Sequence, residues 1–198
     1  MYNGSTRFNE IRRGVPGMSP TLLSKRLKEM EFQNLLNRDE NTTTGTVNYQ
    51  LTTVAHELMP IVYDLGKWAH RNIDSEITLE NLDSKLLMWN VRRKIDAQKL
   101  PNKRTVIQFI FPELEKNKVF WLVHKPGFTI DLCTKDPAYD VDLYVKADLK
   151  TLTAVWIGLA KLTEEINRKN IVLIGDKLIA SSISDWLVRS AFAPRDMR

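Results

Sequence analysis

The side chains that most often perform catalysis or bind metals are scattered along this 198-residue chain. The histidines are His56, His70 and His124, and their separations do not match the short spacings of a zinc site. The single cysteine, Cys133, cannot form an intrachain disulfide, which is typical of a protein from a reducing compartment. We therefore expect no metal and no cofactor.

Asp140 and Asp142 form a pair of carboxylates that could support acid and base catalysis. The alternating residues around them predict a strand over 141–146 with both carboxylates on one face. Such pairs more often face solvent or accept turn hydrogen bonds. The sequence also lacks a Gly-rich phosphate loop and a nucleophile elbow. We expect that the protein is not an enzyme.

Positive charge is concentrated in the first 28 residues, which contain six basic side chains and one acidic side chain. The net charge of this segment equals the +5 of the whole chain, because the remaining residues carry equal numbers of basic and acidic side chains. This asymmetry indicates a polyanionic partner. The alternative is a solvated basic face that only keeps the protein soluble.

The basic segment is predicted to fold as two helices joined by a glycine-containing turn. The first covers 6–13, and the second is capped by Ser19 and ends near residue 32. Leu23 and Leu27 mark the buried side of the second helix, which leaves its hydroxyl and lysine side chains on the other side. Two strands separated by a polar turn follow and predict a hairpin. Together these elements are typical of a helix-turn-helix with a wing.

A long helix is predicted over 53–72, with a proline at position 60 that should kink it. Its apolar side chains form two adjacent seams, which is more than one small core needs. We expect one seam to bind a second copy of the chain, through Leu58, Ile61, Val62, Leu65 and Trp68. The alternative is a helix packed between the two halves of its own chain.

The rest of the chain is predicted to have an α+β fold. Residues 73–82 indicate a linker, and closely spaced strands over 106–111, 119–124, 129–134 and 141–146 favour a mainly antiparallel sheet. Later elements include a helix capped by Asp148 and a closing helix over 177–192. No apolar run reaches membrane-spanning length and no signal peptide is recognisable, so we expect a cytoplasmic protein without a membrane partner.

The N-terminal third resembles the winged helix-turn-helix of the HxlR family of bacterial transcriptional regulators. The resemblance is carried by 7–11 (RFNEI), 16–20 (PGMSP), 23–29 (LSKRLKE), 47–52 (VNYQLT) and the closing-helix residues Leu58, Met59, Pro60, Ile61, Val62, Leu65 and Trp68. It implies a homodimer that binds double-stranded DNA through residues 1–72. The family has a further helix before the residue that matches Arg7, and we expect this chain to lack it.

The expected DNA contacts lie on the two helices and the first wing strand. The second helix is expected to enter the major groove, with Thr21, Ser24 and Lys25 near base edges. Phosphate contacts are expected from flanking residues. The complete set is Arg7, Asn9, Ser19, Thr21, Ser24, Lys25, Lys28 and Arg38.

A second, looser resemblance links this chain to the sterol-carrier-protein-like domain attached to some HxlR-type regulators. It is carried by Asp131, Leu132, Cys133, Asp136, Pro137, Asp140, Val141, Asp142, Leu143, Ala147, Asp148, Leu149, Leu152, Val155 and Trp156. The resemblance implies that residues 83–198 form a five-stranded sheet covered by helices, with an apolar tunnel for a hydrophobic small molecule. The candidate ligand contacts are Phe109, Phe111, Trp121, Leu143, Trp156, Ile183 and Trp186, and simple core packing is the alternative for each.

Two functional hypotheses remain open at this point. The first is a dimeric, sequence-specific DNA-binding regulator that a hydrophobic ligand modulates. The alternative is a hydrophobic-ligand or lipid carrier, or a dimeric adaptor, that no longer binds DNA.

Overall fold

The computed structural model describes residues 1–2, 4–73 and 79–193, which form two compact units divided between Ala69 and His70. The predicted linker over 73–82 lies partly outside the described residues. Elements of the first unit are α1 (Phe8–Arg13), α2 (Pro20–Phe32), β1 (Leu36–Asn41), β2 (Thr46–Leu51) and most of α3 (Thr53–Asn72). Elements of the second unit are α4 (Ser84–Lys94), a 3₁₀ turn (Ala97–Lys99), β3 (Thr105–Ile110), β4 (Val119–His124), β5 (Asp131–Cys133), β6 (Leu143–Ala147), α5 (Leu149–Ile157), α6 (Leu162–Asn167), β7 (Ile171–Gly175), α7 (Lys177–Ser181) and α8 (Ile183–Trp186).

The short helix α1 begins two residues later than the sequence indicates. Glu10 holds the backbone just before the helix, because its Oε2 accepts hydrogen bonds from the backbone N–H groups of Thr6 (3.1 Å) and Arg7 (3.3 Å). A carboxylate near a helix start is also favoured by the helix dipole. Ile11 is buried, and Phe8 packs against the same core. The inward face of α1 therefore carries Phe8 and Ile11.

The wing is a two-stranded antiparallel hairpin in which Leu36 pairs with Leu51 and Asn41 pairs with Thr46. Its turn is held by the Asn41 side chain, whose Oδ1 accepts hydrogen bonds from the amides of Thr43 and Thr44, each at 3.0 Å. Asparagine side chains often stabilise turns in this way. The hairpin is tied to the start of α1, because the amide of Tyr49 donates to the carbonyl of Thr6 at 2.8 Å. The predicted wing is therefore confirmed.

Thr52 connects the end of α2 to the start of α3. Asn34 adopts a left-handed conformation (φ 55°), as its position after a helix indicates. The Thr52 hydroxyl donates to the carbonyl of Asn34 at 2.8 Å and accepts from the amide of Ala55 at 3.3 Å. Thr52 therefore caps α3 while it joins that helix to the end of α2.

The second unit contains a five-stranded sheet with the order β5-β4-β3-β6-β7. Neighbouring strands are antiparallel except for β3 and β6, which are parallel. A parallel pair needs a long connection, and here β4 and β5 occupy that interval in the sequence. The predicted mainly antiparallel α+β architecture is confirmed. No helix of the described residues is both long enough and apolar enough to cross a membrane.

Helices cover one face of this sheet and form the larger core. Phe109, Phe120 and Trp186 are fully buried there, and the rings of Phe111 and Phe120 meet edge to face with centroids 6.0 Å apart. Two carboxylates hold the start of α5. Asp148 accepts from the amide of Thr151 at 2.7 Å, and Glu113 accepts from the amide of Leu149 at 2.6 Å. The predicted cap at Asp148 is confirmed.

The single closing helix expected over 177–192 is wrong. The structure has α7 and α8 instead, separated at Ser182, and α8 ends at Trp186. The Trp186 indole N–H donates to the carbonyl of Ile179 at 2.9 Å, and the Ser182 hydroxyl donates to the carbonyl of Leu178 at 2.9 Å. Side-chain donors to these carbonyls compete with a continuous helix.

The strand expected around Asp140 and Asp142 begins too late for either residue, because β6 starts at Leu143. Asp142 Oδ2 instead accepts from the amide of Val106 at 2.8 Å, and the Lys103 ammonium lies 3.4 Å from Oδ1. The carboxylate of Asp142 thus supports the start of β3. The two carboxylates do not form the strand-face pair that the alternation indicated.

Gly175 is a position where the backbone does not tolerate a side chain. Its φ is 136°, and a Cβ there would overlap the carbonyl oxygen of Asp142. Gly175→Ala should therefore lower the free energy of unfolding of the second unit by more than about 2 kcal/mol, because steric overlap adds to conformational strain. Urea unfolding measures this loss. Gly127→Ala is the control, since Gly127 also has a positive φ (81°) but open space around it. Its expected loss is about 1 kcal/mol. Equal losses in the two variants would contradict the overlap.

Candidate nucleic-acid interface

The helix α2 has one buried side and one outward side. Leu23 and Leu27 are buried in a small core with Ile11 and Leu36. Leu22, in contrast, is 40% exposed and does not belong to this buried side. A shallow groove runs along the outward side, and its lining includes Thr21, Ser24, Lys25 and Lys28. The structure therefore brings these four predicted DNA-contacting residues together on one helix face.

Ser19 precedes this groove and has a structural role of its own. Its Oγ accepts a hydrogen bond from the amide of Leu22 at 3.2 Å, and Pro20 occupies the first helical position. The cap satisfies an amide that the helix leaves free. The exposed hydroxyl of Ser19 can still donate to a phosphate while its oxygen accepts from Leu22.

The remaining predicted contacts come from other elements. Arg7 and Asn9 are exposed at the start of α1. Arg38 is exposed on β1, where its Nη2 lies 2.7 Å from Oε2 of Glu40. The hydrogen bond to Glu40 raises the pKa of the Arg38 guanidinium. Because the Glu40 carboxylate offsets the charge of Arg38, the wing offers less positive charge than Arg38 alone indicates.

Sequence analysis assigned no role to Phe32, at the end of α2. Its side chain is 87% exposed and lines the same groove as Lys25 and Lys28. The helical spacing of four residues from Lys28 to Phe32 was the signal that could have placed it on this face. The groove therefore ends in an aromatic surface.

The apolar stripe on α3 lies on the surface of the chain. Leu58, Ile61, Val62, Leu65 and Trp68 are between 43% and 65% exposed. The buried residue of α3 among those described is Ala55, one turn before Leu58. Pro60 lies within the helix, as expected.

The predicted ligand contacts of the second unit divide into three groups. Most are packed in the core, namely Phe109, Phe111, Leu143, Ile183 and Trp186. Trp121 pairs with Gln108 and Cys133 on the opposite sheet face from Phe109, so its expected inward orientation is wrong. The strand period of two dictates this, because Phe120 and Leu122 point into the core. Trp156 lines a cavity of about 730 Å³.

The groups of the second unit that could react or bind a metal are the Cys133 thiol and the His, Asp and Glu side chains. Burial raises the pKa of the Cys133 thiol, and the nearby Asp131 carboxylate acts in the same direction. A raised pKa lowers the fraction of reactive thiolate. In the part of the chain that the structure describes, no three His, Cys, Asp or Glu side chains are grouped to hold a metal ion.

A helix, a turn, a second helix with a cationic outer side and a two-stranded hairpin define the first unit as a winged helix-turn-helix. Comparison with known families agrees, since residues 1–77 match the model of the HxlR-like helix-turn-helix family. The chain is 40% identical over 75 residues to the uncharacterized HTH-type transcriptional regulator YvaP of Bacillus subtilis, covering 37% of this chain and 69% of YvaP. This chain belongs to the HxlR-like helix-turn-helix family.

Two further relatives carry similar names. The HTH-type transcriptional regulator YybR of Bacillus subtilis is 33% identical over 75 residues, covering 37% of this chain and 60% of YybR. An HTH-type transcriptional regulator of Methanothermobacter thermautotrophicus is 33% identical over 69 residues, covering 34% of this chain and 53% of the relative. These matches span little more than half of each protein.

Solved structures resemble parts of this chain with TM-scores below 0.5. The sec-alkylsulfatase Pisa1 from Pseudomonas sp. gives a TM-score of 0.44 at 17% identity, covering 56% of this chain and 17% of the enzyme. Sterol Carrier Protein 2 from Yarrowia lipolytica gives a TM-score of 0.37 at 14% identity, covering 53% of this chain and 91% of the carrier protein. The ubiquinone synthesis protein UbiJ-SCP2 gives a TM-score of 0.36 at 15% identity, covering 69% of this chain and 92% of UbiJ-SCP2. Likeness at these scores carries no functional argument for this chain.

The cap of α2 gives a prediction that is independent of DNA. Ser19→Ala should lower the free energy of unfolding of the first unit by about 1 kcal/mol, because the amide of Leu22 loses its acceptor. Ser19→Asp restores an acceptor and should retain the stability. Thermal unfolding followed by circular dichroism measures both variants. Equal destabilisation by Ala and Asp would contradict a capping role.

Proposed function

We propose that this chain is a sequence-specific, DNA-binding transcriptional regulator that acts as a homodimer in the cytoplasm. The observation that carries the proposal is the outward side of α2, where Thr21, Ser24, Lys25 and Lys28 line one groove. Hydroxyl and ammonium groups are suited to base edges and phosphates in the major groove. Residues 1–72 are the proposed DNA-binding domain, 73–82 a linker and 83–198 a sterol-carrier-like ligand domain.

Exposed side chains that are proposed to contact DNA phosphates flank the proposed recognition helix. Arg7 and Asn9 from α1 and Ser19 at the helix start are the proposed backbone contacts on one side, and Arg38 is the proposed contact from the wing. Each Lys or Arg that neutralises a phosphate releases counterions, so the affinity should fall steeply with salt. Arg38 contributes less than the others in this proposal because Glu40 competes with the phosphate.

Dimerisation is proposed through the exposed apolar stripe of α3. Leu58, Ile61, Val62, Leu65 and Trp68 leave a contiguous apolar surface on one helix, which a monomer would expose to water at a cost of about 25 cal/mol per square ångström. A two-fold dimer would present two copies of α2 about one DNA turn apart, roughly 34 Å. The proposed target is therefore a near-palindromic site.

A hydrophobic ligand bound in the second unit is the proposed modulator of this activity. Because most of the predicted contact residues are packed in the core, the support comes from the cavity beside Trp156. The same cavity favours the second candidate function, a hydrophobic-ligand or lipid carrier. Retention of specific genomic DNA fragments by the purified full chain supports the regulator, and ligand binding without DNA retention supports the carrier.

Lys25→Ala should weaken binding to a selected genomic DNA fragment by about tenfold, because one contact on the outward side of α2 is lost. The slope of log affinity against log salt should fall by about 0.9 if Lys25 contacts a phosphate. Gel-shift titrations at several salt concentrations measure both quantities.

The matched control is Arg26→Ala, which removes the same charge from the same helix. Arg26 is already paired with Glu29, with 2.6 Å between Nη1 and Oε2, and it does not line the groove. Its loss should change the affinity by less than about threefold. Equal effects of the two substitutions would reduce the role of α2 to non-specific charge and count against the proposal.

Ile61→Glu with Leu65→Glu should convert the dimer to a monomer, because two carboxylates would have to be buried in an apolar interface. Both positions are more than 60% exposed in the chain, so the fold of the monomer should remain intact. Light scattering after size-exclusion chromatography measures the mass, and DNA affinity should fall by about 100-fold when two linked half-sites become one.

Lys67→Glu is the control for this pair, since Lys67 lies on the opposite side of α3 and pairs only at the surface with Asp64, 3.0 Å away. This variant should remain a dimer. A wild-type chain that is monomeric at micromolar concentration would refute the proposed interface.

A further inference from the structure

The cavity of the second unit combines an apolar floor with a cationic rim. Its volume of about 730 Å³ lies within the usual range of pockets for small organic ligands, about 300–1,000 Å³. The floor includes Val91 from α4 and Leu152 and Val155 from α5, all buried. Exposed residues such as Ser184 line its other parts, which places the opening at the protein surface.

Four basic side chains line this cavity, and Asp185 is the acidic residue of the described lining. The basic residues are Lys94, Lys99, Lys161 and Arg189. Lys161 pairs with Glu164 across 3.4 Å at the surface, whereas Lys94 and Lys99 form no ion pair among the described residues. The helix dipole favours Lys94 at the end of α4, whereas Lys99 lies outside that helix. The rim therefore carries an excess of positive charge.

The floor also contains a polar group without a partner. The indole of Trp156 lines the cavity, and its buried Nε1 has no hydrogen-bond acceptor among the described residues. Leaving such a buried donor unpaired costs free energy. A ligand or water that supplied an acceptor after a small movement of the indole would recover part of this cost.

We infer that this cavity binds an amphiphile with an anionic head group. The apolar part lies against Val91, Leu152 and Trp156, and the head group lies at Lys94 and Lys99. The inference rests on the proposed function, which assigns a hydrophobic ligand to the second unit, and adds to it the position and the charge of that ligand. An uncharged amphiphile would leave the cationic rim uncompensated and should bind more weakly.

The test compares three probes that share one alkyl chain. Dodecanoate, dodecyl phosphate and dodecanol are titrated into the full chain at pH 7.5 and below micelle-forming concentrations, with isothermal calorimetry and tryptophan fluorescence as readouts. At least one of the two anions should bind about tenfold more tightly than dodecanol. Comparing the carboxylate with the phosphate identifies the preferred head group. The fluorescence change should be lost in Trp156→Phe, since that indole contacts the probe.

Variants of the rim separate charge from hydrophobic binding. Lys94→Ala with Lys99→Ala should weaken anion binding by about tenfold and leave dodecanol binding unchanged. Lys94→Arg with Lys99→Arg should retain anion binding because the positive charge is kept. The matched control is Lys116→Ala with Lys118→Ala, which removes two exposed lysines of the same unit that do not line the cavity. It should leave all affinities unchanged.

The outcomes of the two proposals can be distinguished. Equal affinity for dodecanol and both anions, absence of any binding, or equal losses in the rim and control variants would overturn the inference. A gel shift of a selected genomic fragment, performed on the same preparation, reports on DNA regulation alone. Selective anion binding by a chain that retains no DNA would support the inference and leave the carrier function in place of the regulator.

Discussion

The orientation of α2 about its own axis determines what the first unit can recognise. Burial of Leu23 and Leu27 against Ile11 and Leu36 fixes that orientation, since a rotation that exposed either leucine would return apolar surface to water. Each buried leucine contributes on the order of 2 kcal/mol, which is a large share of the stability of so small a unit. Thr21, Ser24, Lys25 and Lys28 face outward as a direct result. The proposed recognition surface is therefore a consequence of core packing, and its polar residues need no contacts with the rest of the chain to be held in place.

The second helix offers more available positive charge than the wing does. The acidic residues Asp39 and Glu40 lie in the wing beside Arg38, so this strand has a formal net charge of −1 even though Arg38 pairs with Glu40. Lys25 and Lys28 on α2 form no ion pair among the described residues, so their charge is available to a polyanion. An interface built in this way places its electrostatic attraction on the same helix that would read base edges. Affinity and specificity then depend on one element rather than on two.

The parts of the fold that depend on local signals could be predicted from the sequence. Ser19 before Pro20, Asn34 after α2 and Asp148 before α5 are capping residues whose effect is limited to the adjacent turn. Features that depend on distant partners were not predictable in this way. The break at Ser182 depends on the indole of Trp186 reaching Ile179, and the role of Asp142 depends on an amide of β3 that is 36 residues away. Periodicity could likewise predict that Phe109 and Trp186 are buried, but it could not indicate that they pack in the core while Lys94 and Lys99 border a cavity.

The side chain of Thr52 connects the ends of two helices in the first unit. One side chain caps α3 and holds the carbonyl that follows α2, so the two helices are linked by a hydrogen bond of 2.8 Å as well as by the hairpin between them. The helix α3 has 20 residues and is about 30 Å long, with Pro60 inside it and its start joined to the end of α2. A substitution that removed the Thr52 hydroxyl would therefore loosen the start of α3 and the end of α2 together, because both helix termini depend on the same side chain.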